Sequence, residues 1–183
     1  RHYPELRTFF SSGSMQDEGR MEYLKRGMRR SLSELKDGDV VNMVLYDHTL
    51  CTPVEGFVVG RDDMAMLKRA VDEIEPLGAT DLHAGLTRGY EIADRGYLPE
   101  HSNRVILITD ALTNTGVTDE QMIATASKYY DRRRIRLSGV GVGSEFNDAL
   151  LDKLTERGKG AYVFLGSERE VDAVFGPKFI SLI

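Results

Sequence analysis

The stretch Val105-Ile106-Leu107-Ile108-Thr109-Asp110 decides the fold, because an unbroken apolar run leads directly into an acidic residue. A run of this length without polar alternation is typical of a strand buried on both faces of a parallel sheet. Ligands of such sheets bind outside the carboxyl ends of the strands, so Asp110 stands where a binding residue is expected.

Similar short runs and helical stretches alternate along the chain. The other predicted strands are Leu6–Phe10, Val40–Tyr46, Val54–Val59, Ile135–Val142 and Ala161–Leu165. The link between the second and third of these is too short for a parallel crossover, which predicts an antiparallel pair at one sheet edge. The sequence therefore predicts an α/β fold: a Rossmann-like, doubly wound three-layer sandwich with a mostly parallel six-stranded sheet, one antiparallel edge strand and helices on both faces.

Apolar residues at spacings of three and four mark the helices. One stripe contains Leu82, Leu86 and Tyr90, and another begins at Met64 after a predicted N-cap at Asp62. Further helices are predicted between the last two strands and after the last strand.

Length and composition limit the class of protein. The 183 residues suit one domain, 1–183, and the chain begins and ends like a domain excised from a larger protein. No apolar run approaches the ~20 residues needed to span a bilayer, so no direct membrane insertion is expected. The net charge of -5 disfavours nucleic acid as a partner. The single cysteine, Cys51, excludes an internal disulfide.

Four oxygen-bearing side chains are predicted to meet at one edge of the sheet. Ser12 and Ser14 follow the first strand, Thr80 precedes a helix, and Asp110 ends the strand quoted above. Hydroxyl and carboxylate oxygens are the ligands that hard cations such as Mg²⁺ prefer. Each residue alone reads as a turn or helix cap, and only their joint occurrence predicts a metal site.

At these residues the chain resembles the von Willebrand factor A domain family, most like its bacterial members. The family's metal-ion-dependent adhesion site is written Asp-x-Ser-x-Ser, then a distant Thr and a distant Asp. Ser12, Ser14, Thr80 and Asp110 match its last four members. The flanking Gly78-Ala79-Thr80-Asp81 and the later Gly139–Asn147 stretch agree as well.

The resemblance implies a non-enzymatic protein-binding or adhesion module. Ser12, Ser14 and Thr80 would hold Mg²⁺, Mn²⁺ or Ca²⁺ directly, and Asp110 would support it through water or hydrogen bonds. A Glu or Asp carboxylate of a partner protein would complete the metal shell. A periplasmic or cell-surface location is also implied.

The first member of the motif is missing, because Phe10 stands where the family has aspartate. Either Phe10 is a true substitution, or a deletion or junction has removed the end of a first strand that looks short. Loss of one carboxylate predicts weaker cation binding. Four acidic residues could compensate in part: Asp17, Glu18, Asp47 and Asp81.

Three hypotheses of function follow. The first is the cation-dependent binding module, and the second is a structural or assembly domain that has lost metal binding. A Mg²⁺-dependent hydrolase is the third and is disfavoured, because the chain offers no persuasive nucleophile or base. The Gly139-x-Gly141-x-Gly143 pattern departs from the dinucleotide fingerprint by one residue, which disfavours nucleotide binding.

Overall fold

The computed structural model describes residues 5–12, 18–46, 50–75, 82–109, 117–142, 159–165 and 175. The strands are β1 (Glu5–Ser12), β2 (Val40–Tyr46), β3 (Leu50–Val58), β4 (Ser102–Thr109), β5 (Ile135–Val142) and β6 (Lys159–Leu165). The helices are α1 (Glu18–Leu32), α2 (Met64–Asp72), α3 (Leu82–Arg95) and α4 (Val117–Arg132). The helix predicted before β6 lies outside the described residues, and of the helix predicted after β6 only Phe175 is described, as a helical residue.

The strands form one six-stranded sheet in the order β3-β2-β1-β4-β5-β6. All neighbouring pairs are parallel except β2 with β3. The predicted fold class is therefore confirmed, including the single antiparallel strand at one edge.

Alternate residues of the central strands serve two separate cores. In β4, Ile106 and Ile108 belong to the core under α1 and α2, whereas Val105 and Leu107 belong to the core under α3. Successive side chains of a strand point to opposite faces, so a strand covered on both sides must be apolar throughout. This is why the quoted run carries no polar alternation.

The edge strand β3 begins at Leu50, four residues before the predicted start at Val54. Pro53 obscures the strand in the sequence, but an edge strand tolerates proline because one side needs no ladder hydrogen bond. The β2–β3 register shifts between Val41 and Met43. At that irregularity the buried side chain of Asn42 accepts a 2.7 Å hydrogen bond from the backbone N–H of Gly56.

The N-cap of α2 is Asp63, so the prediction of Asp62 is wrong by one residue. The Asp63 carboxylate accepts a hydrogen bond of 3.0 Å from the Ala65 N–H. Asp62 instead accepts 2.7 Å from the Val58 N–H and pairs with Arg61. Two adjacent aspartates are both capable of capping, and their order along the turn decides which one does.

Candidate metal centre

The carboxyl ends of β1, β2 and β4 lie level with one another at one edge of the sheet, here called the rim. Ser12 pairs with Tyr46 across β1 and β2, and Ser11 pairs with Ile108 across β1 and β4. The chain leaves β1 toward β2 and later reaches β4 on the other side of β1, so the strand order reverses between β1 and β4. Open α/β sheets bind ligands at the carboxyl ends beside such a reversal.

Of the predicted metal ligands, only the backbone of Ser12 is described, as the last residue of β1. Asp110 directly follows Thr109, the last residue of β4. Ser14, Thr80 and Asp110 lie outside the described residues, as do Asp17, Asp47 and Asp81, and the side chain of Glu18 is not described either. The ligand set therefore stays a prediction, supported by two strand ends that meet at the rim.

The first strand is not short, so that expectation is wrong. β1 has eight residues and pairs with β2 continuously from Leu6 to Ser12. The sequence run stops at Phe10 because Ser11 and Ser12 are weak strand formers, but neighbours on both sides supply hydrogen bonds. Phe10 pairs with Val44 and with Leu107, both fully buried. A strand that reaches the rim in register favours substitution at Phe10 over loss of the strand end.

Helix α3 packs on β1, β2 and β4 and begins two residues after Thr80. Its first turn contains Gly85, whose backbone lies against the ring of Tyr46 at the end of β2. Tyr46 is 1% exposed. Sequence reasoning missed this pair, although a glycine inside a strongly periodic helix signals a close contact.

Among the residues with described side chains, no group of three or more His, Cys, Asp or Glu could hold a metal ion. The pKa shifts of Asp62, Tyr90 and Tyr130 arise from burial and from neighbouring residues of the fold. Arg61, followed by the Val58 N–H, lowers the pKa of the Asp62 carboxyl. Burial raises the pKa of the Tyr90 and Tyr130 hydroxyls, whose rings stack at 4.3 Å.

The glycine-rich pattern does not form a phosphate-binding turn at its first two positions. Gly139 and Gly141 lie inside β5 and pair with Leu107 and Thr109 of β4. Gly143 lies outside the described residues. The first two glycines of the pattern are therefore strand residues.

A cavity of about 350 Å³ lies between the edge strand and α2. Its lining consists of Pro53–Phe57, Arg61–Asp63, Met66 and Leu67. The charged groups of its wall already have partners: Arg61 pairs with Asp62, Glu55 accepts 2.9 Å from Arg95, and Asp63 caps α2. Because these charged groups already interact with other residues of the domain, we interpret the groove as a structural feature of the sheet edge.

The fold and the rim define the class of protein: an open-sheet α/β domain whose strand order reverses between β1 and β4. The family model for the von Willebrand factor type A domain matches residues 10–164. The chain therefore belongs to this family.

The curated relatives are much longer than the chain. The Escherichia coli K12 protein YfbK, itself uncharacterized, is 26% identical over 176 residues, which cover 94% of this chain and 30% of YfbK. Pig inter-alpha-trypsin inhibitor heavy chain H1 is 29% identical over 161 residues, 84% of this chain and 18% of the relative. The chain thus spans less than a third of these relatives.

Solved structures share the fold at low sequence identity. A von Willebrand factor type A protein from Catenulispora acidiphila superposes with a TM-score of 0.80 at 16% identity, over 94% of this chain and 41% of that one. Manganese-loaded Plasmodium vivax TRAP gives 0.73 at 16% identity, over 94% and 72%. Mussel proximal thread matrix protein 1 with a zinc-occupied MIDAS motif gives 0.69 at 17% identity, over 94% and 44%. No described helix has the length and apolar character needed to cross a membrane.

Proposed function

We propose that this domain is a non-catalytic module that binds a protein partner through a divalent cation at the rim. Ser12, Ser14 and Thr80 would ligate the ion, and Asp110 would support it through water or hydrogen bonds. A Glu or Asp carboxylate of the partner would fill the remaining position. The single observation that carries the proposal is that β1, which ends at Ser12, and β4, which ends at Thr109 directly before Asp110, end level with each other beside the reversal of strand order.

The donor set suits a hard divalent cation. Three hydroxyls and a carboxylate offer only oxygen ligands, as Mg²⁺ and Mn²⁺ prefer. The manganese of TRAP and the zinc-occupied site of the mussel protein support divalent cations within this fold. When bound, the cation would supply positive charge that attracts the partner's carboxylate.

Phe10 sets the strength of the proposed site. With one carboxylate instead of two, the hydroxyls must balance most of the ion's charge, so binding is weaker than in a complete motif. The same observation favours the second candidate, a structural or assembly domain that no longer binds metal. The two candidates differ in one measurable property, the dependence of partner binding and stability on divalent cation.

Calorimetric titration of Mn²⁺ and Mg²⁺ tests the proposal. We expect the domain to bind one Mn²⁺, and Asp110→Ala to weaken binding by about tenfold or more, because a supporting carboxylate typically contributes this much. Asp62→Asn is the matched control. Asp62 follows Val58, the last residue of β3. Val58 pairs with Val40 at the start of β2, so Asp62 lies at the end of the sheet opposite the rim. Equal affinity in the domain and in Asp110→Ala would contradict the proposal.

The cellular setting follows from the same proposal. We place the domain in the periplasm or on the cell surface, as part of a larger protein within which residues 1–183 form one unit. Proteolysis of the full-length parent protein should then release this unit intact.

A further inference from the structure

We propose that the contact between Gly85 and Tyr46 is a positioning contact that sets the distance between α3 and the strand ends at the rim. This inference rests on the proposed cation site, whose geometry the contact would hold. Neither residue would ligate the ion.

Tyr46 connects the rim to the core beneath α3. It is the last residue of β2, is 1% exposed, and pairs directly with Ser12 of β1. Its ring belongs to the core cluster that contains Leu82 and Leu86 of α3. One aromatic side chain therefore contacts α3 while its backbone is paired with the strand that carries the first proposed ligand.

The backbone of α3 lies directly on this ring. A Cβ added to Gly85 would lie 2.7 Å from both Cδ atoms of Tyr46 and nearer still to its Cγ, closer than real Cβ atoms come. Glycine in a helix interior is less favourable than alanine, because it loses more backbone freedom on folding. The close approach explains why glycine stands there despite its low helix propensity.

The contact lies in the first turn of α3, so a change at the contact would also move the start of the helix. Gly85 is the fourth residue of α3, which begins at Leu82. Thr80 precedes Leu82 by two residues in the chain. One helical turn, with about 1.5 Å of rise per residue, joins Gly85 to Leu82 at the start of α3. A displacement of Gly85 from the Tyr46 ring would therefore move Leu82 relative to Ser12, and Leu82 is the residue at which the segment containing Thr80 joins α3.

The chain provides a matched control at Gly27 of α1. A Cβ there would lie 2.5 Å from Cε2 and 2.9 Å from Cγ of Phe175, a steric conflict like that of Gly85. This contact belongs to the core on the other face of the sheet. Gly27 is nine residues beyond the start of α1 at Glu18, far from the helix end that follows Ser14.

The test compares Gly85→Ala with Gly27→Ala. Denaturant unfolding without cation should show that both variants lose stability, because one methyl group overpacks each site. Calorimetry should show that Gly85→Ala weakens Mn²⁺ binding by about tenfold or more, whereas Gly27→Ala stays within about twofold. If Gly85→Ala does not fold, Tyr46→Leu removes the ring without a clash and should weaken Mn²⁺ binding similarly.

Amide hydrogen exchange separates this inference from the proposed function. In cation-free protein, Gly85→Ala should raise exchange in peptides covering residues 76–85, and Gly27→Ala should not. If wild type binds Mn²⁺ and the two variants have the same affinity, the positioning role is overturned. If wild type binds no Mn²⁺, the proposed function fails, and the exchange data still show whether the contact orders the segment before α3. Unchanged exchange in Gly85→Ala overturns the inference in either case.

Discussion

Phe10 is the residue on which the strength of the cation site depends most. It pairs with Val44 and Leu107, which are fully buried, and it comes two residues before the end of β1. Phe10→Asp restores the missing carboxylate of the motif at a position flanked by apolar neighbours. We expect Mn²⁺ affinity to rise by about tenfold or more, because an added anionic group strengthens the attraction to a 2+ ion.

The same substitution should lower the free energy of unfolding in the absence of cation. A carboxylate beside buried aliphatic residues is unfavourable unless a counter-charge compensates it. Calorimetry and denaturant unfolding, each with and without Mn²⁺, would measure both effects, with Phe10→Asn as an uncharged control. No gain in Mn²⁺ affinity for Phe10→Asp relative to Phe10→Asn would contradict the assignment of the site.

Asp62 should make the stability of the fold depend on pH in the acid range. Its carboxylate pairs with Arg61 and accepts a hydrogen bond from the Val58 N–H, and these partners lower its pKa below the ordinary value of 3.8. A lowered folded-state pKa stabilises the fold above the unfolded-state pKa, and this contribution disappears as the pH falls through the folded-state value. Asp62→Asn should therefore lose stability at pH 7 and depend less steeply on pH below about 4. Denaturant unfolding between pH 2.5 and 7, taken as about 0.5-unit steps, would measure this, and parallel curves for the two proteins would count against it.

Single residues also show where sequence reasoning stops. Both Asp62 and Asp63 satisfy the chemistry of an N-cap, and only the path of the turn selects Asp63. Tyr46 reads as an ordinary strand residue, because its contact with Gly85 joins segments far apart in the chain. Ser12 and Asp110 could be singled out because a motif carries them, whereas Tyr46 and Asn42 act through packing and backbone bonding that no local pattern reports.

The connection from α3 to β4 is held by one buried side chain. Asn103 is 4% exposed, and its carbonyl oxygen accepts 3.2 Å from the Leu98 N–H. Its amide nitrogen donates to the carbonyl oxygens of Leu98, at 2.8 Å, and His101, at 3.0 Å. These bonds close the loop just before the strand that leads to Asp110.

Asn103→Ala should therefore destabilise the domain by about 2–3 kcal/mol, because its three hydrogen bonds to partly buried backbone groups of Leu98 and His101 are lost. Glu100→Ala in the same loop is the control, since an exposed substitution typically changes stability by no more than about 0.5 kcal/mol. Urea unfolding would compare the two variants. A cost for Asn103→Ala as small as that of Glu100→Ala would show that water replaces the lost bonds.

Element boundaries were predictable where hydrophobic periodicity continued to the end of the element. The predicted bounds of β2 and β5 match the structure, and the stripe of α3 is buried as expected. The ends of β1 and β3 were missed because serine, cysteine, threonine and proline interrupt the apolar run. In both strands the ladder continues because neighbouring strands supply the hydrogen bonds, which is a tertiary effect.

The sheet as a whole explains why cation binding should affect the stability of the entire domain. The rim segments attach to β1, β2 and β4, and both β2 and β4 contribute residues to both cores. A cation that binds only the folded arrangement stabilises it by RT ln(1 + [L]/Kd), about 2.7 kcal/mol at a hundredfold excess over Kd. Because the two cores share β2 and β4, the rim cannot unfold separately from the rest of the domain without exposing apolar surface.

Mg²⁺ at about a hundredfold excess over its Kd should therefore raise the melting temperature by roughly 5–10 °C, since a domain of this size shifts by about 2–4 °C per kcal/mol. EDTA should reverse the rise, and NaCl of equal ionic strength should not reproduce it, because a specific site is distinguished from general screening in this way. Asp110→Ala, whose affinity is expected to be at least about tenfold weaker, should show no more than about half of this rise, because a tenfold excess over Kd stabilises by about 1.4 kcal/mol. The structural-domain alternative predicts a flat response in wild type as well. A flat response that persists in Phe10→Asp would contradict the cation site itself, because the restored carboxylate removes weak affinity as the explanation.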